Sequence, residues 1–352
     1  YLLGVFIIGS ALEDSQLVEK LALKLCHSAV NQKRILLKLV YLFGISSALL
    51  LNDTVAIIGA SVVVILINSI KAIPRPYIYA TAFSVTIGSV MSPIGNPQNL
   101  LIANAFQSGA FIYFFTYLFI PTMICLFICY WVITKIYSKA LSQPIQFISE
   151  NITINPYKRI ICLLSLVVFL LLVVMKILLS SLDNSVHISF AIIALVPAIF
   201  ILLLYPSRTL VMKNIDWRTI VFFIGMFVLI HAVWLTGILQ YSFNGHHNWF
   251  NHVLPVLIIS IILSQIVSNA PMVILVLPLI ASSGGGQTEL LALAAGSTIA
   301  GNFTILGAAS NVIIFQYAIR KGIDCFSFGS FIVIGSLITL PCILIYYLFL
   351  TF

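Results

Sequence analysis

The sequence predicts an all-α, polytopic membrane protein made of inverted repeats, with two opposed re-entrant hairpins and two broken transmembrane helices. Three observations predict it. First, 61% of the 352 residues are apolar, 7% are charged and the mean hydropathy is +1.16. An average soluble protein is about 25% charged, and 17 basic plus 9 acidic residues cannot cover a water-facing surface of this size. Second, several apolar runs are longer than one span and carry polar breaks. Third, the basic residues fall almost entirely on one side of the resulting topology.

The same numbers exclude disorder. The net charge of +8 is scattered rather than massed on one face, so no nucleic-acid partner is expected. Six cysteines are dispersed, without a C-x-x-C spacing. Cys125 and Cys129 share a helix face and are expected to pack rather than bind metal. There is no H-E-x-x-H, G-x-S-x-G or Walker A pattern. The chain is therefore not expected to be an enzyme or an ATP-driven pump. It starts at Tyr1, inside an apolar run and with no signal-peptide pattern, so about two further helices are expected ahead of it.

A membrane span needs about 20 apolar residues. Apolar stretches cover 1–12, 39–70, 77–106, 110–134, 160–180, 187–205, 219–240, 252–283, 288–318 and 327–352. Two are too long for one span. Asn52-Asp53-Thr54 breaks 39–70, and Ser268-Asn269-Ala270-Pro271 breaks 252–283; both read as hairpins. The stretches 77–106 and 288–318 are interrupted by Ser92–Asn99 and Gly307–Asn311, and read as broken helices. With each hairpin entering and leaving by one face, sixteen of the 17 basic residues lie on one side. Lys176 alone falls near the other, and 219–319 holds no Lys or Arg. The basic loops are therefore expected to be cytoplasmic, in a multi-pass protein of an inner or plasma membrane.

An internal repeat supports this layout. Residues 1–8 align with 222–229, and Leu51–Thr54 with Ser268–Pro271. Thr86–Ser89 aligns with Thr298–Gly301, and Ile94–Asn99 with Leu306–Asn311. The first repeat is expected over 1–134, a cytoplasmic linker over 135–159 and the second repeat over 160–352. Inverted repeats with Gly/Pro-interrupted helices at matching positions point to a secondary transporter, with its site at the midplane.

Backbone that leaves helical geometry inside lipid must be satisfied by protein or by a wet cavity. Four breaks therefore imply a polar cavity. Asn52, Asp53 and Thr54 suit a hairpin tip, where they cap the following half-helix. Ser92, Gly95, Asn96, Gln98 and Asn99 supply carbonyl and side-chain oxygens of the kind Na+ accepts. Ser268, Asn269, Thr304, Gly307, Ser310 and Asn311 fill the same roles in the second copy. The candidate Na+ ligands are Asn52, Asp53, Gly95, Asn99, Asn269 and Asn311. Na+ is the one cofactor-like ion expected. An intramembrane acid is functional by default, so Asp53 is the candidate coupling group. Glu13 and Asp14 are expected to be solvated at the membrane edge, and His231 to be packed or water-facing. His246, His247 and His252 are weak metal candidates.

The run Ser92–Leu101, with Leu51–Thr54 upstream, resembles the first-repeat signature of the ion transporter superfamily. That superfamily includes arsenite permeases, D-type Na+/H+ antiporters, citrate transporters and divalent-anion:sodium symporters. Ser268–Pro271 and Gly301–Asn311 resemble the second-repeat signature. The resemblance spans the whole chain and is more specific for the superfamily than for any substrate. It implies scaffold helices, a transport domain with opposed hairpins, a small-molecule substrate, membrane lipid around the chain, and room for a homodimer. The symporter signature carries Ser-Asn-Thr at both tips. Leu51, Asp53 and Ala270-Pro271 depart from it, and Asn-Asp-Thr is closer to the arsenite-permease and general anion-permease branch. The function expected is cation-coupled transport of a small anion or oxyacid. The alternatives are Na+/H+ exchange without an anion and, more remotely, a channel or structural membrane subunit.

Overall fold

A computed structural model gives the fold and describes all residues except 28–30, 107, 146–154, 182–187, 238–246 and 324–326. Every regular element among the described residues is helical. Helices satisfy each backbone group within the segment, as lipid demands. Four long apolar helices lie at the periphery: Ala110–Ile136, Pro156–Ser181, Trp217–Leu235 and Phe328–Thr351. Nineteen helical residues rise about 28 Å, enough to cross the hydrocarbon core. These helices turn apolar side chains outward, with Leu171 62%, Val228 68% and Leu340 59% exposed. In water that surface would aggregate; in lipid it is the ordinary exterior. The chain is a polytopic membrane protein.

Asn52–Ile70 is as apolar as the peripheral helices, yet it is buried at the centre. It is the second arm of a helix pair whose first arm is Gln32–Leu49. Leu50 and Leu51 join the arms in extended conformation. The first arm starts at Gln32 rather than at residue 39, because the Asn31 side chain accepts from the Arg34 N–H and caps it. Lys33, Arg34 and Lys38 therefore sit on helix instead of ending it. The second pair joins Val253–Val267 to Asn269–Ser282 through Ser268 alone. Ser268 has φ 76° and ψ 158°, a region that glycine ordinarily holds. Such strain costs about 1–3 kcal/mol and gathers at functional sites.

Both expected helix breaks are present. The first runs Pro74–Gly88, a 3-10 turn at Ser89–Met91, then Pro97–Ala105. The second runs Gln287–Ile299, turns at Ala300–Asn302 and Ile305–Gly307, then Ala309–Arg320. The two halves pack by one pattern. Each pair's first arm lies along the first half of its own broken helix: Gln32–Leu49 on Pro74–Gly88, and Val253–Val267 on Gln287–Ile299. Each second arm lies on the last half of the other broken helix: Asn52–Ile70 on Ala309–Arg320, and Asn269–Ser282 on Pro97–Ala105. Bare backbone permits the closest approaches. A Cβ on Gly88 would run into the Gly44 backbone, and one on Gly335 into the Asn302 carbonyl.

Two expectations about charge change here. Glu13 and Asp14 are only partly solvated. Both are partly buried, and Asp14 accepts from Lys158 Nζ at 2.7 Å and from the Tyr205 hydroxyl at 2.8 Å. They look solvated in the sequence because the partners lie far along the chain. Asp53 is also not the only deeply buried carboxylate. Glu19, on the short helix Leu17–His27, is 1% exposed. Cys125 and Cys129 are fully buried, as packing side chains should be.

Candidate functional site

The two hairpin tips and the two helix breaks meet around one cavity of about 110 Å³. Asn52 and Asp53 line it from the first tip, and Ser268–Pro271 from the second. Pro97 and Gln98 come from the first broken helix, and Gly307–Ala309 from the second. Thr219, Phe222 and Phe223 close it from the helix Trp217–Leu235. At about 30 Å³ per water, this volume equals roughly four water molecules.

The first tip is tied to the first break. The Asn52 N–H donates to the Gly95 carbonyl at 2.8 Å, and Asn52 Oδ1 accepts from the Asp53 N–H at 3.0 Å. Asp53 is 7% exposed. The one ion pair among the described residues is Lys158–Asp14, so Asp53 has no basic partner among them. Its charge must be met by a proton or by a cation that is not part of the protein.

The first break is fully braced. Asn99 Nδ2 donates to the carbonyls of Ser89 (3.0 Å), Val90 (3.3 Å) and Ser92 (3.0 Å). Asn96 Oδ1 caps the next half-helix by accepting from the Asn99 N–H at 2.8 Å. Asn96 Nδ2 donates to Ser89 Oγ and to Thr298 Oγ1, both at 3.1 Å, and Thr298 Oγ1 donates to Asn99 Oδ1 at 3.3 Å. The two broken helices are thus stitched together through Thr298. Ser92 Oγ accepts from the Ile94 N–H at 3.3 Å. The oxygens of Gly95 and Asn99, expected as Na+ ligands, are already engaged in protein bonds.

Of these side-chain bonds the second break repeats one. Asn311 Nδ2 donates to the Gly301 carbonyl at 2.8 Å, and Gly301 and Asn311 align with Ser89 and Asn99. Here, however, Asn311 Oδ1, Ser310 Oγ and both polar atoms of Asn302 have no partner, and all three residues are fully buried. Asn269 Oδ1 is unpartnered as well. Buried polar atoms are nearly always paired, and an ion is one recognised explanation for a cluster that is not. Chemically, these oxygens are hard donors, and of the residues that carry them Asn269 lines the cavity with Asp53.

The remaining expected residues lie elsewhere. Thr54 turns away from the cavity and packs on Gly9, its hydroxyl unpartnered. Thr304 donates to Gln265 Oε1 at 3.3 Å, beside the second hairpin's first arm. His246 lies outside the described residues. His231 is exposed on its helix, and no metal-holding group of His, Cys, Asp and Glu occurs among the described residues. Sequence reasoning missed Thr219, Thr298 and Asn302. Asn302 aligns with Val90, so the repeat itself argued against it.

Glu19 has its own pH consequence. Ser61 Oγ donates to Oε1 at 3.3 Å, while Oε2 has no partner. Burial is the main cause that pushes this carboxyl from 4.5 up to about 7. A raised folded-state pKa means that the fold holds the extra proton between pH 4.5 and 7. Stability therefore falls as pH rises through that window. Glu19→Gln removes the effect. The variant should be more stable than wild type at pH 8, by about 3 kcal/mol at most, seen as a higher melting temperature, and should match it near pH 4.5.

The decisive comparison concerns the sequence as a whole. The family model for citrate transporters matches residues 1–294. The chain belongs to the citrate transporter family. This lies within the superfamily that the four motifs resemble. Its relatives include membrane proteins and transporters. A 46 kDa membrane protein of Mycobacterium leprae is 26% identical over 343 residues, covering 91% of this chain and 78% of its own. An uncharacterized transporter of Mycobacterium tuberculosis is 25% identical, covering 96% and 81%. Silicon efflux transporter LSI3 of rice is 24% identical, covering 91% and 78%.

Proposed function

We propose that this member of the citrate transporter family is a secondary active transporter of a small inorganic or organic anion or oxyacid, driven by H+ or Na+. The observation that carries the reading is the cavity lined by both hairpin tips and both helix breaks. A site built from both halves of a repeat closes on either side when one half moves against the other, which is alternating access. The hairpins enter and leave by one face each, and the basic loops are cytoplasmic. Asp53 carries the coupling charge. The unpartnered oxygens of Asn302, Ser310 and Asn311 support a cation at the second break.

The substrate is small and carries at most one charge. The cavity is well under the 300 Å³ at the lower end of drug-sized sites. Two like charges 4 Å apart cost about 4 kcal/mol near a protein surface, and a dianion beside Asp53 would meet about twice that. A relative described as a silicon efflux transporter fits a small oxyacid better than a tricarboxylate.

The test is uptake by proteoliposomes of silicic acid, arsenite, phosphate and citrate, each under a pH gradient and under a Na+ gradient. Uptake of one small oxyacid that needs one of the gradients supports the reading. Na+-dependent proton movement with no added solute would replace it with exchange.

A further inference from the structure

A second polar opening approaches the same site from another direction. It is a narrow cleft of about 20 Å³ between the first helix, Leu2–Ser15, and the first turns of Asn52–Ile70. Ser10, Glu13, Thr54, Asn214 and Asp216 supply its polar lining. Asn214 is exposed, so the cleft opens to solvent there. Lys213 and Arg218 flank this mouth, which puts it on the cytoplasmic side in the proposed topology.

We infer that this cleft is the cytoplasmic access route by which the coupling cation reaches Asp53. Four observations carry it. Glu13 and Asp216 both line the cleft, and neither forms an ion pair among the described residues. Thr54 lies at its inner wall, next in sequence to Asp53, and is 3% exposed with its hydroxyl unpartnered. A buried hydroxyl without a partner in the wall of a carboxylate-lined cleft is one that a water or a cation would satisfy. The volume admits one water or one small cation, and no anionic substrate. Finally, Asp216 joins the cleft to the cavity. Thr219 Oγ1 donates to Asp216 Oδ2 at 2.5 Å, and Thr219 lines the cavity beside Asp53.

The lining of the cleft holds two carboxylates and no basic residue. On the first helix, Asp14 is bound by Lys158. On the elements around the mouth, Lys213 and Arg218 are exposed, and Lys20 on the adjoining short helix is exposed. A cleft that admits only water-sized solutes, with two carboxylates in its walls, concentrates monovalent cations and repels anions. Cation and substrate would then reach the site by separate ways.

The inference rests on Asp53 as the coupling group, and its test is independent of transport. Asn214 lines the cleft at its exposed mouth, where a reagent too large to enter can still react. Asn214→Cys is treated from the cytoplasmic face with two membrane-impermeant thiosulfonates, one bearing trimethylammonium and one bearing sulfonate. Rates are normalised to free cysteine, and the parent protein gives the background. The cationic reagent should react at least tenfold faster. Asp216→Asn with Glu13→Gln should bring the normalised ratio to near one. Asparagine retains the helix cap that Asp216 makes with the Thr219 N–H at 3.1 Å, so that change should fold. Asn214 is exposed, so its replacement by cysteine should fold.

The inference is overturned by labelling from the opposite face, by no preference for the cationic reagent, or by a ratio the double variant leaves unchanged. In a transporting preparation, Asp216→Asn should raise the half-saturating cytoplasmic cation concentration about tenfold with little loss of maximal rate; an unchanged value overturns it too. A wild-type protein that transports nothing while the labelling pattern holds would count against the proposed function and not against the cleft.

Discussion

Asp53→Asn should abolish cation-coupled transport, at least a hundredfold, and leave a folded protein. Asp53 is buried, without a basic partner among the described residues, and lines the cavity. Removing an unpaired buried charge relieves desolvation rather than breaking a contact. Asparagine has the size of aspartate, and no side chain caps the start of Asn52–Ile70, so the change removes no cap. The check is uptake under a cation gradient beside a melting curve on the same preparation. Loss of uptake with a melting temperature equal to or above wild type is expected. Normal gradient-driven uptake would remove Asp53 from the coupling mechanism.

Asn99→Leu should cause the largest loss of stability of any single site substitution. Asn99 Nδ2 serves three backbone carbonyls that the helix break has freed. Its Oδ1 accepts from Thr298 across the interface between the two broken helices. Leucine has a similar volume and makes none of these bonds. An orphaned buried acceptor costs about 1–3 kcal/mol, and the four bonds share partners, so the loss should be about 3–5 kcal/mol. Asn311→Leu, with one carbonyl bond, should cost about a third as much. Denaturant melts of both variants in detergent give the comparison. Equal losses would mean that the two breaks are equivalent, against the asymmetry described above.

Composition and hydropathy made the membrane class legible, because no other class tolerates so little charge. The four breaks were legible because Asn, Pro and Gly interrupt apolar runs that otherwise continue. Their meeting at one cavity was only implied, since Asp53 and Ser268 lie far apart in the chain. Other features were hidden for definite reasons. The start of the first arm at Gln32 depends on one asparagine cap, which outweighs the charges that follow. Asp14 looked solvated because Lys158 and Tyr205 approach it only in the fold. The division of labour between the breaks was also hidden. Asn99 and Asn311 occupy equivalent positions in the repeat, yet Thr298 engages the oxygen of Asn99 while that of Asn311 stays unpartnered. Side-chain pairing across 199 residues leaves no local trace.

The central claim is that one cavity binds a small solute and a coupling cation together. Thermal unfolding of the purified protein tests it most directly. The panel holds silicic acid, arsenite, phosphate, sulfate, succinate and citrate, each with Na+ and with choline, at pH 6 and pH 8. A ligand that binds only the folded state raises the melting temperature by mass action, about 2.7 kcal/mol at a hundred times its dissociation constant. The account predicts a rise for one small, weakly charged oxyacid that requires Na+ or the lower pH, and its loss in Asp53→Asn. Stabilisation by a solute that is indifferent to Na+, to pH and to Asp53 would contradict it.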